Sequence, residues 1–355
     1  MPDAVVMQRT ELLARLFPAG VPPLWCPLLT HYDSRGGVDR VRMQAHLRHV
    51  SQWVRGYLIP GSTGDGWELT PEETREVMDF AVTAARERDL HLLIGILLPT
   101  TQAVVARIVE TVRWLERALR APSPDAALAA AQVRGFAVCP PIGADLSAAE
   151  IEGGLAAVLD LGLPTALYQL PQVTHNEMSP EVVARLAARY PNFVLLKDSS
   201  GADRIALSEL RPQGVHLVRG AEGEYAQWLT RGGGPYDGLL LSTANCFAAE
   251  LADLVARAEA GDLAGAEVVS RRLTEGVQAV FGLVADLPSG NAFANANKAM
   301  DHFFAYGPTA EQFDPPLLHN GLRLPAEVIL ATKDVLARYG LLPERGYLAE
   351  SCRLV

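Results

Sequence analysis

Lys197 closes an apolar stretch of the chain. It follows Phe193-Val194-Leu195-Leu196, a run typical of a strand that is buried on both faces. An amine among such neighbours is costly to keep charged, so its pKa should fall and a neutral fraction should be free to attack a carbonyl carbon. This lysine is therefore either a misplaced charge or a nucleophile, and the residues near it bear on the choice.

Tyr168 lies near the C-terminal end of the predicted strand that precedes the one carrying Lys197, after the run 163–167. In a parallel sheet its phenol should lie at the same level as Lys197, one strand away. A phenol there can pass a proton to and from a carbinolamine or a substrate hydroxyl, provided that its ordinary pKa of about 10 is tuned or a relay assists it. Alone, a strand-end tyrosine is more often a packing residue; beside a buried lysine, catalysis is the better interpretation.

A glycine-rich loop follows the second predicted strand and reads Gly-Ser-Thr-Gly-Asp-Gly over residues 61–66. Glycines allow backbone amides to approach an anion closely. The loop lacks the GK[ST] ending of a phosphate-binding P-loop and the GxGxxG spacing of a dinucleotide site. The amides and hydroxyls of Gly61, Ser62 and Thr63 therefore suit a small carboxylate, and a capped tight turn without ligand is the alternative.

The elements that would position these residues alternate regularly along the chain. Short apolar runs predict eight strands, and amphipathic segments between them predict eight helices. Eight such units, with strands buried on both faces, predict a (β/α)8 barrel whose active site lies at the C-terminal ends of the strands. The predicted strands are 24–30, 57–61, 91–98, 135–140, 164–170, 193–197, 215–219 and 238–242. The predicted helices are 38–54, 71–88, 101–120, 147–162, 179–190, 202–210, 223–231 and 247–260.

The barrel accounts for only part of the chain. We expect an N-terminal extension over residues 1–20 that forms a short helix, the catalytic barrel over 21–262, and a helical C-terminal region over 263–355. Helix-like patterns in this last region cover 263–281, 291–304 and 325–340. The proline- and alanine-rich segment 121–131 is predicted to be a surface insertion after the third helix.

Composition excludes several classes of partner. A net charge of −10 over 355 residues, without a basic tract, argues against binding to nucleic acid or to an anionic membrane surface. No stretch reaches transmembrane length, and the first twenty residues lack the apolar core of a signal peptide, so a cytoplasmic protein is expected. The four cysteines, Cys26, Cys139, Cys246 and Cys352, lack metal-site spacing. The first three should be buried, reduced thiols.

Three motifs together carry a resemblance to a known family. The residues Gly61-Ser62-Thr63-Gly64-Asp65, Tyr168-Gln169-Leu170-Pro171 and Lys197-Asp198-Ser199-Ser200-Gly201 resemble the GxTGE, YNxP and KxxxG signatures of the dihydrodipicolinate synthase and N-acetylneuraminate lyase family. Leu29-Thr30-His31-Tyr32-Asp33 with Gly37 is similar to its first strand-end pattern. The resemblance runs from about Leu24 to the end of the barrel.

The resemblance implies a class I aldolase-type lyase that acts on pyruvate or another 2-oxo acid without metal or other cofactor. Lys197 would form the imine with the 2-oxo group, and Tyr168 would shuttle protons. Ser62 and Thr63, with Gly61, would hold the substrate carboxylate. The resemblance also implies a homo-oligomer, a dimer or a tetramer. The strand ends that would contact the rest of the substrate carry Gly220, Glu222, Ser242 and Thr243.

The departures from the family pattern narrow this expectation. Val173 stands where the synthases carry an arginine that binds a second carboxylate, which argues against dihydrodipicolinate synthase itself. Cys139 and the residues after it, Pro140-Pro141-Ile142, replace the relay tyrosine after strand four. Asp65, Gln169 and His31 also differ from the signatures.

Three hypotheses follow. The first is a lyase that cleaves, forms or dehydrates a 2-oxo-3-deoxy acid, with polyhydroxylated acids favoured by the polar groups at Glu222 and Ser242. The second is a binding or regulatory barrel that lost turnover with the relay tyrosine. The third, a flavin- or phosphate-binding barrel, is disfavoured because the segment 219–224 after strand seven is acidic.

Overall fold

Eight short strands pair in chain order and close on themselves. In the computed structural model, which describes residues 2–348, every neighbouring pair is parallel, and β1 returns to β8 through Leu24 opposite Leu239. Together with the helices between the strands and after them, this confirms the predicted (β/α)8 barrel with a C-terminal helical appendage. The strands are β1 Leu24–Cys26, β2 Gly56–Leu58, β3 His91–Gly95, β4 Val133–Val138, β5 Thr165–Gln169, β6 Phe193–Asp198, β7 His216–Arg219 and β8 Gly238–Leu240.

The interior of the barrel is filled by side chains from all eight strands. Branched and aromatic residues predominate, as a closed parallel barrel with no pore requires. The opposite faces of the strands pack under the surrounding helices, which explains why each strand is a continuous apolar run. The interior cluster takes Trp25, Leu58, Leu93, Ala137, Ala166, Val194, Leu195, Val218 and Leu240 from the strands.

The helices begin where the sequence signals place them. Thr70 accepts a hydrogen bond from the amide of Glu73, the Glu73 carboxylate accepts one from the amide of Thr70, and Pro71 occupies the first turn. The helices are α1 Pro2–Leu16, α2 Arg40–Val50, α3 Pro71–Arg88, α4 Thr101–Leu119, α5 Pro124–Ala130, α6 Ala148–Leu159, α7 Pro171–Thr174, α8 Pro180–Arg189, α9 Arg204–Leu207, α10 Tyr225–Trp228, α11 Ala248–Glu259, α12 Leu263–Val284, α13 Ala292–Tyr306 and α14 Ala326–Arg338.

Two predicted helices are shorter than expected. The segments 202–210 and 223–231 form only the single turns α9 and α10. Gly201 and Pro212 flank the first segment, whereas Gly223 begins the second and Gly232 follows it, and both residue types are poor helix formers. The segment 121–131 is also more ordered than a surface insertion, since α5 buries Ala127 and Leu128.

Helix α1 covers the N-terminal end of the barrel. Leu12, Leu13 and Phe17 pack against the interior cluster. Arg9 on this helix is fully buried, and its guanidinium donates to the carbonyl oxygens of Phe193 at 2.7 Å and Gln213 at 2.6 Å. The predicted N-terminal helix is therefore present, and it leaves the C-terminal ends of the strands as the open side of the barrel.

Helices α12, α13 and α14 follow the last unit and share one continuous core with the barrel helices. Division of the chain at residues 20 and 262 into separate domains stays a prediction. Cys26, Cys139 and Cys246 are buried free thiols, as predicted, and Cys352 lies outside the described residues. Between residues 2 and 348, no helix combines the length and the hydropathy that crossing a membrane requires.

Candidate active site

Lys197 lies at the C-terminal end of β6 with only 4% of its surface exposed. Burial lowers the pKa of its amine to about 7, although the nearby Cys139 and Glu222 act in the opposite direction. At neutral pH a large fraction of this lysine is therefore the neutral amine, and its role as a nucleophile stays a prediction.

Tyr168 is the direct neighbour of Lys197. The register of β5 on β6 places the two residues opposite each other, and Lys197 Nζ lies 3.9 Å from the centre of the phenol ring. Burial raises the pKa of the Tyr168 phenol, Cys139 adds to this effect, and Ser199 partly offsets it. The phenol is thus protonated near neutral pH, which is the state that can donate a proton.

Gly220, at the end of β7, makes room for the lysine side chain. A Cβ atom built on Gly220 would lie 2.7 Å from Cε of Lys197 and in collision with the Ser199 hydroxyl. A methyl group at this position would require the side chains of Ser199 and Lys197 to move. The assignment of Gly220 to substrate binding stays a prediction, and the structure places this glycine against the Lys197 side chain.

Glu222, Ser242 and Thr243 meet at the mouth of strands β7 and β8. One Glu222 oxygen accepts hydrogen bonds from the Ser242 hydroxyl at 2.6 Å and the Thr243 amide at 3.1 Å. The other accepts from the Thr243 hydroxyl at 2.7 Å and the Tyr225 hydroxyl at 3.0 Å. Four donors saturate a carboxylate. The structure therefore brings these three predicted substrate-binding residues together, but their polar groups hydrogen-bond to one another.

The loop with Gly61, Ser62 and Thr63 forms a turn of 3-10 helix at the end of β2, and all three residues are buried. Among the described residues, the Ser62 hydroxyl is buried without a hydrogen-bond partner. The backbone carbonyl of Ser62 accepts from Asn291 Nδ2 at 3.2 Å. A buried hydroxyl without a partner is unfavourable, and a ligand carboxylate would satisfy it after a small adjustment.

Asp65, the last residue of the GxTGE-like motif, forms an ion pair that the sequence did not reveal. Its Oδ2 lies 2.7 Å from Nζ of Lys298 on α13 and accepts from the Tyr32 hydroxyl at 2.9 Å. Lys298 is 2% exposed, and its ammonium also lies over the Tyr32 ring at 4.6 Å. This buried pair ties the glycine-rich loop to the C-terminal region.

Helix α13 contributes three further residues to the mouth of the barrel, and sequence reasoning missed all of them. Asn291 caps the helix and contacts Ser62, Phe293 packs against the apolar cluster that contains Tyr168, and Asn297 Nδ2 donates to the Ser242 hydroxyl at 3.0 Å. A signal was present, because α13 carries Asn, Lys, Asp and His among apolar residues without a separate polar face. Buried polar residues on every side of a helix indicate partners beyond ordinary core packing.

An apolar wall covers the side of the mouth formed by β2 to β5. Leu97, Cys139, Tyr168 and Leu170 are buried there and pack together. Cys139, which replaces the relay tyrosine of the family pattern, is 5% exposed, and burial raises the pKa of its thiol. We name these four residues and the half-buried side chains packed on them the apolar wall. The half-buried members are Trp67, Val173 and Phe293.

His31, His46 and Asp301 are side chains of the metal-ligand type, with ligand atoms within 4.8 Å of one another. Their atoms are already engaged: His46 Nδ1 lies 3.0 Å from His31 Nε2, and His46 Nε2 lies 2.8 Å from the Asn245 carbonyl oxygen. Arg42 donates a hydrogen bond to Asp301 at 2.7 Å, so the carboxylate already forms an ion pair with a guanidinium group. Burial lowers the pKa of both histidines. This group is better suited to joining α2 and α13 than to holding a cation.

Known proteins resemble this chain in sequence. A sequence model of the dihydrodipicolinate synthetase family matches residues 127–285. A 4-hydroxy-tetrahydrodipicolinate synthase of Methanoculleus marisnigri is 28% identical over 271 residues, which cover 75% of this chain and 84% of that protein. A probable 5-dehydro-4-deoxyglucarate dehydratase of Corynebacterium glutamicum is 30% identical over 166 residues, 46% of each chain.

Solved structures resemble it in fold. YagE of E. coli K12, described as a prophage protein of the dihydrodipicolinic acid synthase family in complex with pyruvate, has a TM-score of 0.71 and 20% identity. The similarity covers 90% of this chain and 99% of that one. At this identity the likeness shows a shared barrel architecture.

Proposed function

We propose that the chain is a lyase-type enzyme of the dihydrodipicolinate synthetase family and that its Lys197 forms an imine with pyruvate or another 2-oxo acid. One observation carries the proposal: a buried lysine with a pKa of about 7 lies against the ring of Tyr168 at the open end of the barrel. The fold and the relatives are consistent with this chemistry, and the pyruvate complex of YagE adds support.

The proposed reaction begins when the neutral amine of Lys197 attacks the 2-oxo carbon. The resulting carbinolamine takes up a proton on its oxygen and loses water to give the imine. Loss of a proton from the third carbon gives an enamine, because the imine nitrogen accepts the electron pair. Tyr168, whose ring centre lies 3.9 Å from Lys197 Nζ, would deliver and take up these protons.

The enamine then reacts in one of two ways. Attack on an aldehyde forms a carbon–carbon bond, and the reverse of this step is aldol cleavage; departure of a hydroxyl from the fourth carbon is dehydration. In each case water hydrolyses the imine and restores the free amine. We propose a 2-oxo-3-deoxy acid as the substrate or product, with its carboxylate held by Ser62 and Thr63.

The proposed reaction needs no cofactor, because Lys197 itself forms the covalent intermediate. The expected homo-oligomer and the cytoplasmic location stay predictions. The mechanism depends on small molecules alone, namely the 2-oxo acid and, in the condensation direction, an aldehyde. Tyr168 and Lys197 are catalytic residues in this proposal, whereas Gly220 supports the lysine.

Reductive trapping tests the proposal. Borohydride added with pyruvate should attach the mass of pyruvate less one oxygen atom to the protein. The chain has only three lysines, Lys197, Lys298 and Lys333, so peptide mapping can assign the adduct. Lys197→Met should abolish it. Lys333→Arg, at an ion pair with Glu311, is the matched control and should trap normally.

The binding barrel without turnover remains the second candidate, because Cys139 occupies the place of the family's relay tyrosine. It predicts an adduct at Lys197 but no product with any aldehyde. Folded protein that forms no adduct would overturn the imine proposal itself.

A further inference from the structure

We propose that the apolar wall binds the part of the substrate beyond its third carbon, and that this part is an uncharged, apolar group contributed by an aldehyde such as an aromatic one. This inference rests on the proposed imine at Lys197 and specifies the second reactant. In the condensation direction, the enamine carbon bonds to the aldehyde carbon, the aldehyde oxygen takes a proton, and water then releases the 4-hydroxy-2-oxo acid.

The first support is the chemistry of the wall. Tyr168, which touches the reactive amine, belongs to the same cluster as Leu97, Cys139 and Leu170. Trp67, Val173 and Phe293 pack on this cluster and are only partly buried, so part of their apolar surface stays exposed next to it. Covering such surface with an apolar group is favourable because water is displaced from both.

The second support is that position 173 carries an uncharged side chain, Val173. Val173 follows the Tyr168-to-Pro171 motif at the place where the family pattern has a carboxylate-binding arginine. Its side chain can bind neither a carboxylate nor a hydroxyl. A substrate with a second carboxylate would have to leave that charge without a partner against the apolar wall, which is unfavourable.

The third support is the state of the polar side of the mouth. Glu222 already accepts four hydrogen bonds, three of them from Ser242 and Thr243. The Ser242 hydroxyl in turn accepts from Asn297. A polyhydroxylated substrate could bind there only by replacing contacts that are already short and well formed, so it gains little. The structure therefore favours apolar over polyhydroxylated acceptors, in contrast to the expectation from sequence.

Aldehyde selectivity tests the inference. We would measure kcat/KM for condensation of pyruvate with benzaldehyde, D-glyceraldehyde and succinic semialdehyde, which represent an apolar, a polyhydroxylated and a carboxylated acceptor. We expect benzaldehyde to be preferred over each of the others by roughly tenfold or more. A preference for either of the other two, or no reaction with benzaldehyde, overturns the inference.

Two variants at one position sharpen the test. Val173→Arg should lower kcat/KM for benzaldehyde by roughly tenfold and raise that for succinic semialdehyde. Val173→Ile keeps the apolar surface and should keep the preference. Unchanged selectivity in Val173→Arg would contradict a role for the wall.

Trapping with pyruvate alone separates this inference from the proposed function. If Lys197 forms no adduct in the wild type, the imine proposal fails and this inference fails with it. If the adduct forms but benzaldehyde is not preferred, only the inference fails. Adduct formation in Val173→Arg also shows that the variant is folded at the reactive centre.

Discussion

The amine of Lys197 lies 3.9 Å from the centre of the Tyr168 ring, because the register of β5 on β6 puts the two residues side by side. The ring of Tyr168 therefore faces the atom at which an imine would form. The same contact gives the protonated amine a favourable interaction with the ring face.

Imine formation should depend on pH with a midpoint near the pKa of Lys197, about 7. The neutral amine attacks, so the trapping rate should rise from about pH 5.5 and level off above about pH 8.5. Initial rates of pyruvate trapping across this range would show the midpoint. A rate that keeps rising toward the pKa of an ordinary lysine would contradict the effect of burial.

Lys197→Met should stabilise the protein at low and neutral pH. The pKa of the folded protein, about 7, lies below the unfolded value of 10.5, so the unfolded chain binds more protons between these values. The lysine therefore opposes folding fully below about pH 7 and ceases to do so near pH 10.5. We expect a gain of roughly 1–3 kcal/mol at pH 6 that shrinks toward pH 10, measured by urea unfolding.

Leu195→Met is the control for this experiment. It introduces methionine at a buried strand position that carries no titrating group, so its effect on stability should be the same at every pH. A gain in Lys197→Met that does not depend on pH would show that the lysine is not neutralised by burial.

Tyr168→Phe should separate proton transfer from binding. The phenylalanine keeps the ring that lies against Lys197 and removes the hydroxyl. Pyruvate adduct formation should persist, whereas kcat for a reacting aldehyde should fall by roughly 100-fold to 1,000-fold. An unchanged kcat would assign the proton to another group, and loss of the adduct would indicate that the hydroxyl orders the lysine.

Gly220→Ala should block the site sterically. The new methyl group would collide with Ser199 and with the Lys197 side chain, so trapping with pyruvate should fall to background. Gly153→Ala is the control, since Gly153 lies in α6 with no atom within 4 Å of the added Cβ. There we expect normal trapping and a stability gain of roughly 0.5–1 kcal/mol. Normal trapping in Gly220→Ala would contradict the tight approach.

The buried pair of Asp65 and Lys298 should matter mainly for stability. Lys298→Met leaves the Asp65 carboxylate with Tyr32 as its remaining side-chain partner and should destabilise the fold by roughly 3–5 kcal/mol. The double variant Asp65→Asn/Lys298→Met removes both charges and should recover much of this loss. Thermal unfolding of the three proteins measures the coupling; equal losses in the single and double variants would show that the pair does not act as a unit.

The barrel and its reactive pair could be predicted because both depend on local pattern. Continuous apolar runs mark the strands, and once β5 and β6 are neighbours, Tyr168 and Lys197 must share one end of the sheet. The hydrogen bond between Glu222 and Ser242 could not be predicted in the same way. The sequence shows that both lie at strand ends, but it does not show that they hydrogen-bond to each other across β7 and β8.

Contacts between distant parts of the chain were beyond sequence reasoning for a different reason. Asp65 and Lys298 are 233 residues apart, and neither residue carries a local signal for the other. Their meeting depends on the packing of α13 against the barrel, which is a property of the whole core. The same packing brings Asn291, Phe293 and Asn297 to the mouth.

The position of α13 also has a consequence for synthesis of the protein. Lys197, Tyr168 and the glycine-rich loop leave the ribosome well before Asn291, Phe293 and Asn297. In a nascent barrel, Lys197 therefore lies at an active-site opening that still lacks the residues of α13. The site is complete only when this helix packs against the barrel. Ribosome-bound chains that end before α13 should thus lack a closed active site, and competence would arise late in translation.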